Sequence, residues 1–86
     1  MHSAYEVAFK YEISNEIIAS IKGFISRNYS YPFTNTPQEV IAINDETNKI
    51  YQKLPLENDY DKNVEYQNRL IELLKRVKEI TPKPHK

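Results

Sequence analysis

The tetrapeptide Thr36-Pro37-Gln38-Glu39 constrains this chain more than any other short stretch. It offers a hydroxyl for the N-cap, a proline for the first helical position and a carboxylate at the third that can reach back to the cap amide, so it predicts a helix starting at Pro37. From there Val40, Ile43, Thr47, Ile50 and Leu54 recur at helical spacing, forming one mostly apolar stripe opposite Glu39, Asn44, Asp45, Asn48 and Gln52. Pro55 disfavours helical geometry at Leu54 and closes the segment.

The second half of the chain obeys the same logic. The stretch LENDYD is rich in turn formers, and Asn58, Asp59 or Asp61 could cap a further helix. Leu70, Leu73, Val77 and Ile80 then form a second stripe, widened by Ile71 and Leu74. Glu65 with Arg69, and Glu72 with Arg76, stand in the favourable acidic-first order four residues apart, each pair worth about 0.2–0.5 kcal/mol when exposed. Pro82 and Pro84 stop this helix and leave a frayed tail over 82–86. The spacing predicts an antiparallel helical hairpin over 37–54 and 60–80.

Ser3-Ala4-Tyr5-Glu6 matches a capping box, and a long helix over 3–26 can run through Ile13, Ile17, Ile21 and Phe24. Ser14 and Asn15 compete for backbone hydrogen bonds and mark a place for a kink. Gly23, the single glycine, costs roughly 1 kcal/mol relative to alanine within a helix, so either a close contact offsets that cost or the helix ends nearby. Residues 28–36 alternate turn formers with Tyr29, Tyr31 and Phe33; one isolated strand is unstable in water, and the segment reads as a loop whose aromatics pack across the bundle. The fold class is all-α: one domain over 1–86, a small three-helix protein.

Length limits how stable such a fold is alone. Eighty-six residues bury only about 60–65% of the surface of the unfolded chain, which makes homo-oligomerisation an expected remedy. With no cysteine there is no disulfide framework or thiolate metal site, and His2 and His85 have no clustered partners. No apolar run approaches the length of a membrane span, and no basic segment followed by an apolar one opens the chain; a cytoplasmic protein is expected. Twelve basic and twelve acidic side chains cancel, which argues against broad capture of duplex DNA while leaving room for a small anion in a locally basic pocket.

Catalysis has little to stand on. There is no Gly-rich phosphate loop, metal motif or triad signature, and the acidic group Glu57, Asp59 and Asp61 lies in a polar turn, where solvated carboxylates are ordinary. A non-enzyme without cofactor or metal is expected. The first helix carries the more suggestive set: Tyr5, Phe9, Tyr11, Lys22 and Arg27 combine rings with cations, the types that stack on bases and hold phosphates. The same residues also serve as core or dimer contacts and solvated charges in ordinary helical proteins.

Ile21-Lys22-Gly23-Phe24, then Glu39-Val40-Ile41-Ala42-Ile43-Asn44, then Leu74-Lys75-Arg76-Val77 resemble elements of the small phage anti-CBASS sponge proteins. The resemblance spans about a quarter of the positions. It implies a helical protein that assembles symmetrically and sequesters cyclic di- or trinucleotide second messengers without cleaving them, counteracting host anti-phage signalling. It also implies phosphate contact by Lys22 beside Gly23 and Phe24, base stacking by Tyr5 or Tyr11, and a role for Arg69 toward larger cyclic ligands. A longer loop after Gly23, and no tryptophan near the start of the last helix, depart from that pattern.

A different class fits the same composition. A small helical inhibitor such as an immunity protein or antitoxin would bind a protein target, with Tyr29, Tyr31 and Phe33 as natural anchors. The two classes differ in what Lys22 does.

Overall fold

The computed structural model describes residues 4–81, with side chains from Tyr11 onward. The capping box at Ser3, the side chains of Tyr5 and Phe9, and the tail over 82–86 lie outside the described residues. Within them the chain is all helical: α1 (Ala4–Asn28), α2 (Gln38–Lys53), a 3-10 turn (Leu54–Leu56) and α3 (Tyr60–Ile80). No strand occurs among the described residues. The hairpin of α2 and α3 matches the sequence reading closely, while α1 runs two residues further and is continuous through Ser14 and Asn15.

Two local expectations are corrected. The helix at Thr36-Pro37-Gln38-Glu39 forms, but Pro37 is its N-cap and no side chain caps it. Glu39 instead accepts a two-pronged hydrogen bond from Arg76 of α3. A fork between guanidinium and carboxylate is stronger than the bond to a solvent-exposed cap amide that it replaces. The second correction concerns the pairs within α3. Glu65 lies 3.6 Å from Lys62, and Arg69 reaches across to Glu46 through Nε at 2.5 Å and Nη2 at 2.8 Å. Arg76 contacts Glu79 at 3.8 Å in addition to Glu39. Among the described residues, charge pairing therefore ties α2 to α3 at two rungs, and the acidic partners within α3 lie three positions away.

The start of α3 agrees with expectation. Of the three candidate caps Asp59 is used: its carboxylate accepts from the Asp61 amide at 2.9 Å. Asn63, wholly buried, donates from Nδ2 to the Asp59 carbonyl at 2.9 Å and the Glu57 carbonyl at 3.4 Å, which fastens the preceding turn to the helix.

One core joins the helices. Val40, Ile43, Ile50 and Leu54 meet Leu70, Leu73 and Val77, and Ile18, Ile21 and Ile25 close over them from α1. Burying each such side chain is worth about 1.5–3 kcal/mol relative to exposure. The centre of the α1 face differs from the predicted stripe: Ser14, Ile18, Ile21 and Ile25 are buried, whereas Ile13, Ile17 and Phe24 are half-buried at its margin. A helix that covers two others needs a broad face, so both sets of isoleucines fit one amphipathic reading. Thr47 is polar but satisfied, donating to the Ile43 carbonyl at 2.8 Å.

Chain direction is set at the far end. The Thr81 hydroxyl donates to the Val77 carbonyl at 2.7 Å, leaving its oxygen to accept from the Tyr29 hydroxyl at 2.8 Å. This brings the C-terminal ends of α1 and α3 together. The two helices run parallel, with α2 antiparallel to both.

Candidate ligand-binding groove

The site grows out of the end of α1. Tyr29 still donates its amide to the Ile25 carbonyl at 2.8 Å, and the chain then reverses, with the Phe33 amide bonded to the Ser30 carbonyl at 2.8 Å. The Tyr31-Pro32 bond is cis, making this a type VI turn, and Phe33 takes φ of 70°, in the left-handed region. The geometry sends neighbouring rings to different fates. Phe33 packs against the core, whereas Tyr31 is 85% exposed. Their rings still meet edge to face, 5.6 Å apart with planes at 75°. The expectation that all three loop aromatics pack across the bundle therefore holds for Tyr29 and Phe33 but not for Tyr31.

Between this loop, α1 and α2 lies an open groove of about 490 Å³, floored by Ile25 and Phe33 and rimmed by Lys22, Tyr29, Tyr31 and Asn44. That volume falls within the range of small-molecule sites. Lys22 is exposed, and its ammonium stands 5.6 Å from the ring centroid of Tyr51 on α2. A cation over an aromatic face is held by the ring quadrupole and not by an opposite charge, and no carboxylate pairs with Lys22 among the described residues. The arrangement supplies one cation, hydroxyl and amide donors, and exposed ring surface. Such groups can hold an anion and stack a flat base, but they include no nucleophile paired with a base.

The other residues singled out in the sequence are distributed differently. Tyr11 is half-buried against the core, and eleven residues of helix place it roughly 16 Å along α1 from Lys22. Gly23 is helical and half-buried; Phe24 turns toward α3, opposite Leu74. Arg69 lies on the α2–α3 side, where it also contacts Glu72 at 3.4 Å. Its hydrogen bonds hold the Glu46 carboxyl below the usual carboxylate range, as those of Arg76 do for Glu39. Within one chain, Lys22 is thus not joined by Tyr11 or Arg69.

Tyr51 and Asn44 were missed in the sequence. Both lie on α2 outside its apolar stripe, seven residues apart and hence on one face, a signal that marks the face but not what it meets.

Among the described residues no group of three His, Cys, Asp or Glu side chains is placed to hold a metal. No described helix is long and apolar enough to cross a membrane. Comparison with protein-family models, curated proteins and solved structures finds no match, and the functional reading rests on geometry and chemistry.

Proposed function

We propose that the protein sequesters cyclic di- or trinucleotide second messengers and returns them intact, which in a phage-encoded setting would blunt host signalling. The observation that carries this reading is the position of Lys22, charged and without a carboxylate partner among the described residues, at the rim of a groove walled by aromatic rings. Phosphate would meet the ammonium, and bases would stack on the exposed ring of Tyr31 in the groove and on the free face of Tyr51, which stands beside Lys22 outside the groove lining. One copy offers a single Lys22 to a ligand with two or three phosphates. A symmetric homo-oligomer would present the cation and rings again, and would also allow Tyr11 or Arg69 of one copy to approach Lys22 of another.

Isothermal calorimetry with a panel of cyclic di- and trinucleotides, combined with chromatography of the ligand released by heat, tests the proposal. Saturable binding with intact ligand supports it. Absence of binding across the panel removes it, and cleaved ligand would make the protein an enzyme.

A second reading has its own observation. Tyr31 stands out from the surface at 85% exposure, braced edge-on by Phe33. A pre-ordered aromatic of that kind suits the centre of a protein interface, and under this reading the groove would receive a target protein in the manner of an immunity protein or antitoxin. Capture of one stoichiometric protein partner, lost in Tyr31→Ala and kept in Lys22→Ala, would favour it.

A further inference from the structure

We propose that a second groove, between α1 and α3, is an anion site selective for a phosphate monoester attached to a flat ring, the chemistry of a nucleoside monophosphate. This groove holds about 390 Å³ and is lined by Ala19, Ser20, Phe24, Arg27, Leu74 and Lys78. It lies on the opposite flank of α1 from Lys22 and does not depend on the function proposed for that residue.

Two cations face this groove. Arg69, Arg76 and Lys62 all stand in ion pairs, whereas Arg27 and Lys78 have no carboxylate partner among the described residues. Each occupies the last turn of its helix, and the parallel arrangement of α1 and α3 brings both cations to one groove. A helix C-terminus carries roughly half a negative charge, so two of them offset about one of the two cations and leave a net positive site. A phosphate monoester offers three strong acceptor oxygens to the two cations, where a carboxylate offers two.

Gly23 leaves room for one of these cations. A Cβ built on Gly23 would lie 3.1 Å from Arg27 Nη1, tighter than ordinary contact. The guanidinium therefore lies back along α1 over the one residue that has no side chain to displace it. In that position it presents its fork beside Ser20 and Phe24, and a fork matches two phosphate oxygens at once. The Ser20 hydroxyl adds a donor, while Phe24 and Leu74 form the apolar wall against which a ring can lie. Inorganic phosphate would find the cations but leave that wall wet.

Amide-resolved NMR titration of the full chain with adenosine monophosphate, and separately with inorganic phosphate, tests the site. Expected are shifts at Ser20, Gly23, Arg27 and Lys78, with the nucleotide binding more tightly than the bare anion. Arg27→Ala and Lys78→Ala should each weaken the nucleotide about tenfold, the effect of losing a charged hydrogen bond, while Lys22→Ala leaves these shifts in place. Phe24→Leu should bring the nucleotide down to the level of inorganic phosphate. Gly23→Ala keeps the helix and should weaken binding by moving Arg27. The proposal is overturned by an absence of shifts at millimolar nucleotide, by shifts that persist in the Arg27→Ala, Lys78→Ala double variant, or by equal affinity for the two probes.

Discussion

The hydroxyl of Tyr29 donates to Thr81 Oγ1 at 2.8 Å, across 52 positions of sequence. Thr81 spends its own proton on the Val77 carbonyl, so its oxygen is free to accept. This is the polar contact that holds the end of α1, and with it the loop carrying Tyr31, to the end of α3. Tyr29→Phe should cost about 0.5–1.5 kcal/mol of stability in urea denaturation, the usual net value of one hydrogen bond. Thr81→Val removes the same acceptor, so the double variant should lose less than the sum of the singles. Full additivity would show that the two hydroxyls are not coupled.

Lys22 and Tyr51 make a second contact whose two components can be separated. Only the ring face is needed to hold the ammonium, so Tyr51→Phe should keep the stability of the parent, while Tyr51→Ala loses about 0.5–1 kcal/mol. For cyclic nucleotide binding, Lys22→Ala should cost about 1.5–3 kcal/mol, the range for a hydrogen bond to a charged group. If Tyr51 acts as a stacking surface, Tyr51→Ala weakens binding by about 1–3 kcal/mol and Tyr51→Phe does not. Calorimetry on folded variants reads both quantities, and an unchanged affinity in Tyr51→Ala would leave Tyr51 as no more than a rest for Lys22.

Gly23→Ala is expected to stabilise the protein. Alanine in a helix interior gains up to about 1 kcal/mol over glycine, and the atom its Cβ would crowd is the tip of the flexible Arg27 side chain. The tip can swing away at little cost. A rise in the thermal midpoint together with unchanged helical circular dichroism would confirm this. A fall would mean that the Arg27 guanidinium is fixed in place by more than the space above Gly23.

The contrast between what the residues foretold and what they did not is physical. Pro37, Pro55 and Asp59 act locally, through a missing amide or a nearby cap, and so the bounds of α2 and α3 could be read from a few neighbours. Glu39 could not be read that way. Its carboxylate is equally suited to a cap three residues back and to Arg76, and only the packing of α2 on α3 decides between them. The α1 face was legible in period but shifted in phase, because isoleucines at 13 and 17–18 supply two overlapping stripes and the choice depends on which helices lie beneath. Lys22 was found from its residue type. Its partner Tyr51 was not, since the contact joins two helices and leaves no trace in the spacing of either.

The two rungs between α2 and α3 make stability depend on acid pH in a defined direction. Hydrogen bonds from Arg69 and Arg76 lower the folded pKa values of Glu46 and Glu39 below the ordinary 4.5. A carboxyl whose pKa is depressed on folding binds protons more readily in the unfolded chain, so its contribution is complete above the unfolded pKa and disappears as pH falls through the folded value. No loss from these groups is expected between neutral pH and about 5, and a progressive one below about 4.5. For Glu46 and Arg69, both partly exposed, a double-mutant cycle at neutral pH should give a coupling of about 0.5–1 kcal/mol that shrinks in high salt. Glu46→Gln should flatten the acid limb of the stability curve. Glu16→Gln, which alters an exposed carboxylate with no ion partner among the described residues, should leave that limb unchanged. Equal flattening by both substitutions would trace the acid sensitivity to general charge repulsion and deny the rungs any special part in it.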